Sequence, residues 1–454
     1  MKLTNNTISN FNFERKITKR LINSFEYSIT ILCSILLGLS AITNNKIYVI
    51  ILFLFIPFGI FKPTSIIPTY YVSSLSSQYF IIEEGLGINR LFNLAIFLGI
   101  VLRIIINRQS IESNWIKYII YIGITTLISY IFANYQYIKS LTVVGMNLLI
   151  LFTFSNIRLD NKQIKMLFKN MFIAVLIISI TILINAILKP NMISGRLTLS
   201  EDLNNNTFSI LVAQLSAYIF GYMLYTKDIK IKIISILIGF TNIYLILLSG
   251  SRTAFIAVSL GILSIIIIMK FKNKEKLKGL FIIGFIVVVG YVLFIYVSHQ
   301  YPSLAQRFSL DNIIKSGGTN RLERIIAEIK YIIPENLFFG VGPISLNETI
   351  ALSNYLELPG SSHNILISML TQIGIVGSIG YIILIQKIII KLIKRLRVSS
   401  FNSIPLSLIL TGIFNGVGEV VYHERFFWSA LALGVICITT NNLDYFDNKF
   451  NKGV

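Results

Sequence analysis

The chain has 454 residues, 54% of them hydrophobic and 13% charged, with a mean hydropathy of +0.74 and a formal net charge of +20. Soluble globular domains carry roughly a quarter charged residues, so this composition excludes that class. Positive charge on so apolar a chain reads as membrane topology and not as a nucleic-acid footprint.

A basic N-terminal stretch (Arg15, Lys16, Lys19, Arg20) precedes the first apolar run. No small-residue cleavage site follows that run, which therefore reads as a retained anchor. Apolar runs then recur at 25–42, 46–61, 66–82, 90–106, 115–133, 141–155, 168–188, 207–225, 232–248, 253–269, 279–298, 364–387, 401–418 and 426–441. Runs of this length must be helical, because lipid offers no partner for an open backbone amide. The expected fold is an all-α polytopic integral membrane protein of about 12–14 transmembrane helices. The lower count applies if the short pairs in the first hundred residues are re-entrant. Cys33 and Cys437 both fall inside apolar runs, so no disulfide framework or metal site is expected.

One mostly polar island, His299–His363, interrupts the pattern between the eleventh and twelfth runs. It divides the chain into an N-terminal bundle (1–206), a transmembrane region (207–298), the loop itself (299–363) and the C-terminal helices with their tail (364–454). The Lys-rich loops, among them 270–278 and 387–397, lie on the opposite face from the island. Both termini are therefore expected in the cytoplasm and the island outside. The expected outer face is richer in Arg than in Lys. Lysine suffices for topology, whereas arginine suits a planar fork holding phosphate or carboxylate.

Three stretches carry candidate chemistry. Ser249-Gly250-Ser251-Arg252-Thr253 sits between two spans. A serine there caps the next helix, whose free amides and dipole favour an anion beside Arg252. Within the island, Asn320-Arg321-Leu322-Glu323 has the form of a capping box. Leu322, Ile325, Ile326, Ile329 and Ile333 follow at helical spacing, and Pro334 is expected to end the helix. Arg321 would then occupy a first turn, unfavourable for a cation unless an anion binds beside it. Gly317-Gly318 gives a flexible approach, and Gly340-Val341-Gly342-Pro343 a tight turn. The third stretch is His363-Asn364, followed after nine residues by Gly374 and then by Gly377. Those glycines fall on one stripe, expected to allow close helix packing. His363 stands at the mouth of that helix. His299 and His423 have no supporting neighbours in sequence.

Taken together, Ser249–Thr253, the pattern Arg307-Phe308-Ser309-Leu310 through Ser316–Arg321 to Gly340–Pro343, and His363-Asn364 with its glycines resemble the O-antigen ligase and Wzy-type polysaccharide polymerase superfamily. The resemblance covers about 207–390. The chain departs from the family pattern at Arg321-Leu322-Glu323-Arg324-Ile325, where an aromatic residue commonly follows the arginine. The resemblance implies transfer of a glycan from undecaprenyl diphosphate to an acceptor hydroxyl, at the outer face of a bacterial cytoplasmic membrane. His363, Arg252 and Arg321 would be catalytic, with Arg307, Ser251, Asn364 and Gly318 binding substrate. Partners would be the lipid-linked donor, the glycan acceptor, the bilayer, a flippase and a chain-length regulator, with no nucleic acid. No Asp-x-Asp pair, Walker motif, dinucleotide fingerprint or zinc spacing occurs in the chain, so no metal or cofactor is expected. The Ile, Asn and Lys usage suggests an AT-rich bacterial genome and favours a polymerase of repeat units over a ligase of finished chains. A flippase or other transporter would instead predict internal repeats and ionisable residues deep in the spans.

Overall fold

The computed structural model describes residues 5–43, 45–75, 81–83, 86–133, 136–188, 190–193, 195–198, 205–269, 273–302, 304, 306, 321–357 and 360–440. These form an all-α protein with two small antiparallel hairpins, β1–β2 (Ile81–Glu83, Leu86–Gly87) and β3–β4 (Asn191–Ile193, Arg196–Thr198). Among the described residues, eight helices are long and apolar enough to cross a membrane, and four shorter apolar helices accompany them. The first long helix, α1 (Asn5–Thr43), is followed by a run broken into α2 (Lys46–Ile51), a 3-10 turn and α3 (Ile56–Phe61). Of the run expected at 66–82, the described residues give α4 (Pro63–Leu75), 13 residues with Pro68 inside, and a strand at Ile81–Glu83. At 1.5 Å per residue α4 reaches about 20 Å, short of the ~30 Å hydrocarbon layer. Pro57 lies in the first turn of α3 and Pro63 begins α4, which separates these pieces from the helix before each.

Next come α5 (Ile88–Ile106), α6 (Ser113–Phe132), α7 (Ile138–Ser155), α8 (Asn161–Leu188), α9 (Asn205–Tyr225), α10 (Ile229–Leu248), α11 (Arg252–Ile268) and α12 (Asn273–Gln300). The bundle is organised around α9, whose apolar 18-residue stretch is 83% buried, against 28–50% for the corresponding stretches of the other long spans. Those other spans turn apolar side chains outward, such as Ile120, Ile124, Leu127 and Ile131 on α6. Lipid tails are as apolar as leucine, so association relies on small residues and interhelical hydrogen bonds. The partner of α9 shows this well. Helix α16 (Ser403–Asn415) donates from Ser407 Oγ to Ala217 O at 2.7 Å and from Ser403 Oγ to Gly221 O at 2.9 Å. Gly221 lacks the Cβ that would collide with Ser407, and Gly261 on α11 makes the same allowance for Thr411.

The island contains α13 (Arg321–Ala327), which runs through a π turn (Glu328–Ile332) into a last turn (Ile333–Glu335), and α14 (Ser345–Leu352). The helix stops at Glu335, one residue past Pro334 and close to the expected end, with the Ile333 N–H ahead of the proline donating to Glu328 O in the π turn. The apolar stripe also faces the other way from a core stripe. Leu322, Ile326 and Ile329 are exposed, whereas Ala327, Glu328 and Ile332 are buried. An apolar face turned outward beside a bilayer suits an interfacial helix.

After the island come α15 (Ile365–Leu396), α16 and α17 (Arg425–Thr439). Helix α15 is broken at Gly374, which has φ 64° and ψ −176°. The island fills the break with backbone bonds. Val341 N donates to Thr371 O (2.8 Å) and Gly342 N to Gln372 O (2.9 Å), while Ile375 N and Val376 N donate to Leu337 O (2.8 Å) and Phe338 O (3.2 Å). Gly374 thus makes a kink and not a packing stripe, and Gly377 lies over its own helix's Ile373. The expected tight turn is present, with Gly340 at φ 68° and Gly342 at φ 124°. A Cβ on Gly374 would collide with the Phe338 backbone at a φ that disfavours side chains. Gly374→Ala should therefore destabilise the protein by at least about 2 kcal/mol. A thermal shift of the detergent-purified variant of several degrees checks this, with Gly377→Ala falling well below it.

Candidate functional site

The end of the island is fixed from three sides. Ser362 N donates to Glu348 Oε1 (2.6 Å) on α14. Asn364 Oδ1 accepts from Leu366 N (3.1 Å) and Ile367 N (3.2 Å), capping α15. Ile365 N donates to Gly416 O (2.7 Å), which draws the loop between α16 and α17 alongside. Between these anchors His363 is held at φ 53°, a left-handed conformation unusual outside glycine. Strain of this kind persists where the surroundings over-determine it.

The loop drawn in by Gly416 delivers Glu419. His363 Nδ1 lies 2.8 Å from Glu419 Oε2, while Arg321 Nη2 (3.2 Å) and Asn206 Nδ2 (2.7 Å) both donate to Oε1. A carboxylate accepts only, so the proton of a neutral ring lies on Nδ1 and its lone pair on Nε2. Asn206, in the first turn of α9, is oriented by Arg196 Nη2 donating to its Oδ1 (2.8 Å). Arg196, nine-tenths buried on β4, also donates from Nε to Ser249 O (2.7 Å). Gly250 has φ 66° and lacks the Cβ that would crowd Arg196. Ser251 Oγ caps α11 by accepting from Ala254 N (3.4 Å), which starts the helix at Arg252. Thr253 and Arg321 both flank Gly418.

One hydrogen-bonded network therefore joins the Ser249–Thr253 turn, Arg321 and His363. Arg252 is half-buried beside Thr253 in that turn. The side-chain oxygen of Asn364 is engaged in the helix cap. Arg307 and Gly318 lie outside the described residues. Sequence reading missed Glu419, Arg196 and Asn206. A signal was there: Gly416-Val417-Gly418-Glu419 places an acid in a short glycine-bearing loop between two spans.

Behind His363 lie two fully buried carboxyl groups. Glu348 also accepts from Ser368 Oγ (3.2 Å) and Gln372 Nε2, and Glu328 Oε2 accepts from Thr371 Oγ1 (2.7 Å). Gln372 in turn accepts from the buried Tyr422 hydroxyl. Burial, and then the charge and hydrogen bond of Glu348, hold the Glu328 carboxyl far above the ordinary carboxylate range.

Residues 235–382, about a third of the chain, match the family described as O-Antigen ligase (Wzy_C). This stretch is similar to that family. It contains the Ser249–Thr253 turn, Arg321 and His363, while Glu419, Asn206 and Arg196 reach it from outside its bounds. The family carries membrane enzymes that handle polysaccharide, and the long apolar helices make this chain an integral membrane protein. No curated protein matches the chain.

The Glu328 shift gives the protein a pH signature. A carboxyl with a raised folded-state value keeps a proton that the unfolded chain releases. Its stabilisation is present below its ordinary value of 4.5 and is lost as pH rises through about 9. Glu328→Gln keeps the neutral shape without that linkage. The midpoint of thermal unfolding of Glu328→Gln relative to wild type should rise steadily between about pH 5 and pH 9. A constant difference across that range would remove the proton from Glu328.

Proposed function

We propose that this protein is a membrane glycosyltransferase that polymerises undecaprenyl-diphosphate-linked repeat units at the outer face of a bacterial cytoplasmic membrane. The observation that carries the reading is the Glu419–His363 pair beside Arg321, in a network that reaches the Ser249–Thr253 turn. His363 Nε2 takes the proton of the attacking sugar hydroxyl as that oxygen bonds to the anomeric carbon. The bond from the anomeric carbon to the diphosphate oxygen breaks, and its electron pair leaves on the lipid diphosphate. Arg321 and Arg252 stabilise the charge that develops there. Glu419 orients His363, as the carboxylate of a catalytic triad does. Imidazole suits this work because it titrates near neutrality.

The family description favours a second reading equally, in which a finished glycan is ligated to lipid A core or to protein. The two differ in what a null strain accumulates. Loss of a polymerase leaves single repeat units on their acceptor, whereas loss of a ligase leaves long polymer on the carrier. Glycan chain-length profiling of a deletion strain separates them.

His363→Ala should lower transfer by about 10²–10⁴-fold at unchanged membrane levels, and Glu419→Gln by at least about tenfold. Arg321→Lys keeps the charge but loses the planar fork, and should also fall sharply. Wild-type polymer from stably inserted His363→Ala would reduce the histidine to a structural role.

Orientation is tested separately. Ser353 is exposed on the island, and Ser353→Cys should react with a membrane-impermeant thiol reagent on intact cells. Labelling only after lysis would place the island in the cytoplasm.

A further inference from the structure

Helix α14 faces two ways. Glu348 turns toward Ser362 and the site, whereas its neighbour Asn347 lines a separate cavity of about 430 Å³. That cavity lies between α14, the last turn of the island helix and the Ser353–Tyr355 turn. Asn347 is 3% exposed, and neither its Nδ2 nor its Oδ1 has a hydrogen-bond partner in the protein. Buried amides are nearly always satisfied, so a donor and an acceptor left open together call for an outside group that supplies both.

The rest of the lining narrows that group. Glu335, Asn336 and Asn354 add polar groups, and Asn336 Nδ2 already donates to Ile332 O (3.0 Å), which leaves its carbonyl oxygen to accept. Tyr355 stacks on Tyr331 with centroids 4.9 Å apart and planes 4° from parallel. Its hydroxyl donates to Glu335 (3.3 Å), which holds both the ring and the carboxylate in place. Both rings remain partly exposed. Below them the buried Ile332 and Val341 form an apolar floor. Among the described residues, no cationic side chain lines the cavity; the nearby Lys330 ammonium stands over the Tyr331 ring, 4.9 Å from its centroid.

Clustered amide and carboxylate groups beside an aromatic face match a pyranose ring. Its hydroxyls each donate and accept, and its C–H face packs on an aromatic ring. A phosphate or a uronic acid would meet Glu335 with no cation to offset it. From this geometry we infer that the cavity is a saccharide subsite, holding an uncharged sugar of the glycan at a distance from the reacting carbon. The assignment of that sugar to a glycan substrate rests on the transferase reading above. Asn347 and Glu348 are consecutive, so the subsite and the His363 turn are borne on one helix. The stacked tyrosines also supply aromatic surface that the sequence after Arg321 lacks.

The test is saturation-transfer NMR on the full-length protein in nanodiscs, with N-acetylglucosamine, galactose and glucuronic acid as probes. Wild type should transfer saturation to at least one neutral sugar and about tenfold less to glucuronate. Losing one well-made contact of this kind changes affinity by about tenfold. Asn347→Leu and the surface variant Tyr355→Ala should each weaken the neutral signal by that factor. Absence of any neutral-sugar signal in wild type, undiminished signal in folded Tyr355→Ala, or equal response to glucuronate would overturn the subsite. Failure of the transferase reading looks different: His363→Ala would then still make polymer while sugar binding responded to Asn347 and Tyr355 as stated.

Discussion

A helix inside lipid must find a partner for every backbone group, and the break at Gly374 leaves several groups of α15 without their helical ones. The island supplies them, through the amides of Val341 and Gly342 and the carbonyls of Leu337 and Phe338. The island is therefore not a loop hung between two spans. Its central turn is part of the wall of the bundle, and the rest of the island inherits that fixed position. From there the π turn sets Glu328 against Thr371, and α14 sets Glu348 against Ser362. The placement of His363 follows from the same interlock, since Glu348 holds the residue before it.

The carboxylates of this region fall into two environments with different consequences. Glu419 is partly open and gathers the side chains of His363, Arg321 and Asn206. Its contribution is orientation and charge at a surface a substrate can reach. Glu328 and Glu348 are sealed, and their contribution is structural. A pair of buried acids is costly unless one stays neutral, and the raised Glu328 meets that condition. Among the described residues of the island, the cost recurs nowhere else. It is confined to the point where the strained His363 turn needs an acceptor for the Ser362 amide.

The spans were legible in the sequence because their signal is local: a run of apolar residues is helical in lipid whatever its neighbours. The same holds for the cap at Ser251 and for the Gly340–Pro343 turn. Residues whose meaning depends on distant partners were not legible. Glu419 and Asn206 are 213 positions apart, and nothing near either announces the other. The stripe of Leu322, Ile326 and Ile329 marked a helix, but amphipathicity alone does not say whether the apolar side meets protein or lipid, and the structure leaves these three exposed. Gly374 looked like a packing residue for a related reason. A glycine that admits a neighbouring helix and one that admits a chain reversal leave the same mark in sequence, and only Phe338 against its Cα distinguishes them.

The strain at His363 ties these strands together. A left-handed histidine is unfavourable by itself, and it persists here because the flanking residues are each committed elsewhere: Ser362 to Glu348, Asn364 to the cap of α15, Ile365 to Gly416. Relaxing φ would break at least one of those bonds. Each bond also leads to a different part of the molecule, respectively the island, the kinked span and the loop that carries Glu419. The imidazole is thus set by the meeting of three elements and not by the flexibility of one. That is the condition under which a general base can be held to a fixed geometry at the edge of a bilayer.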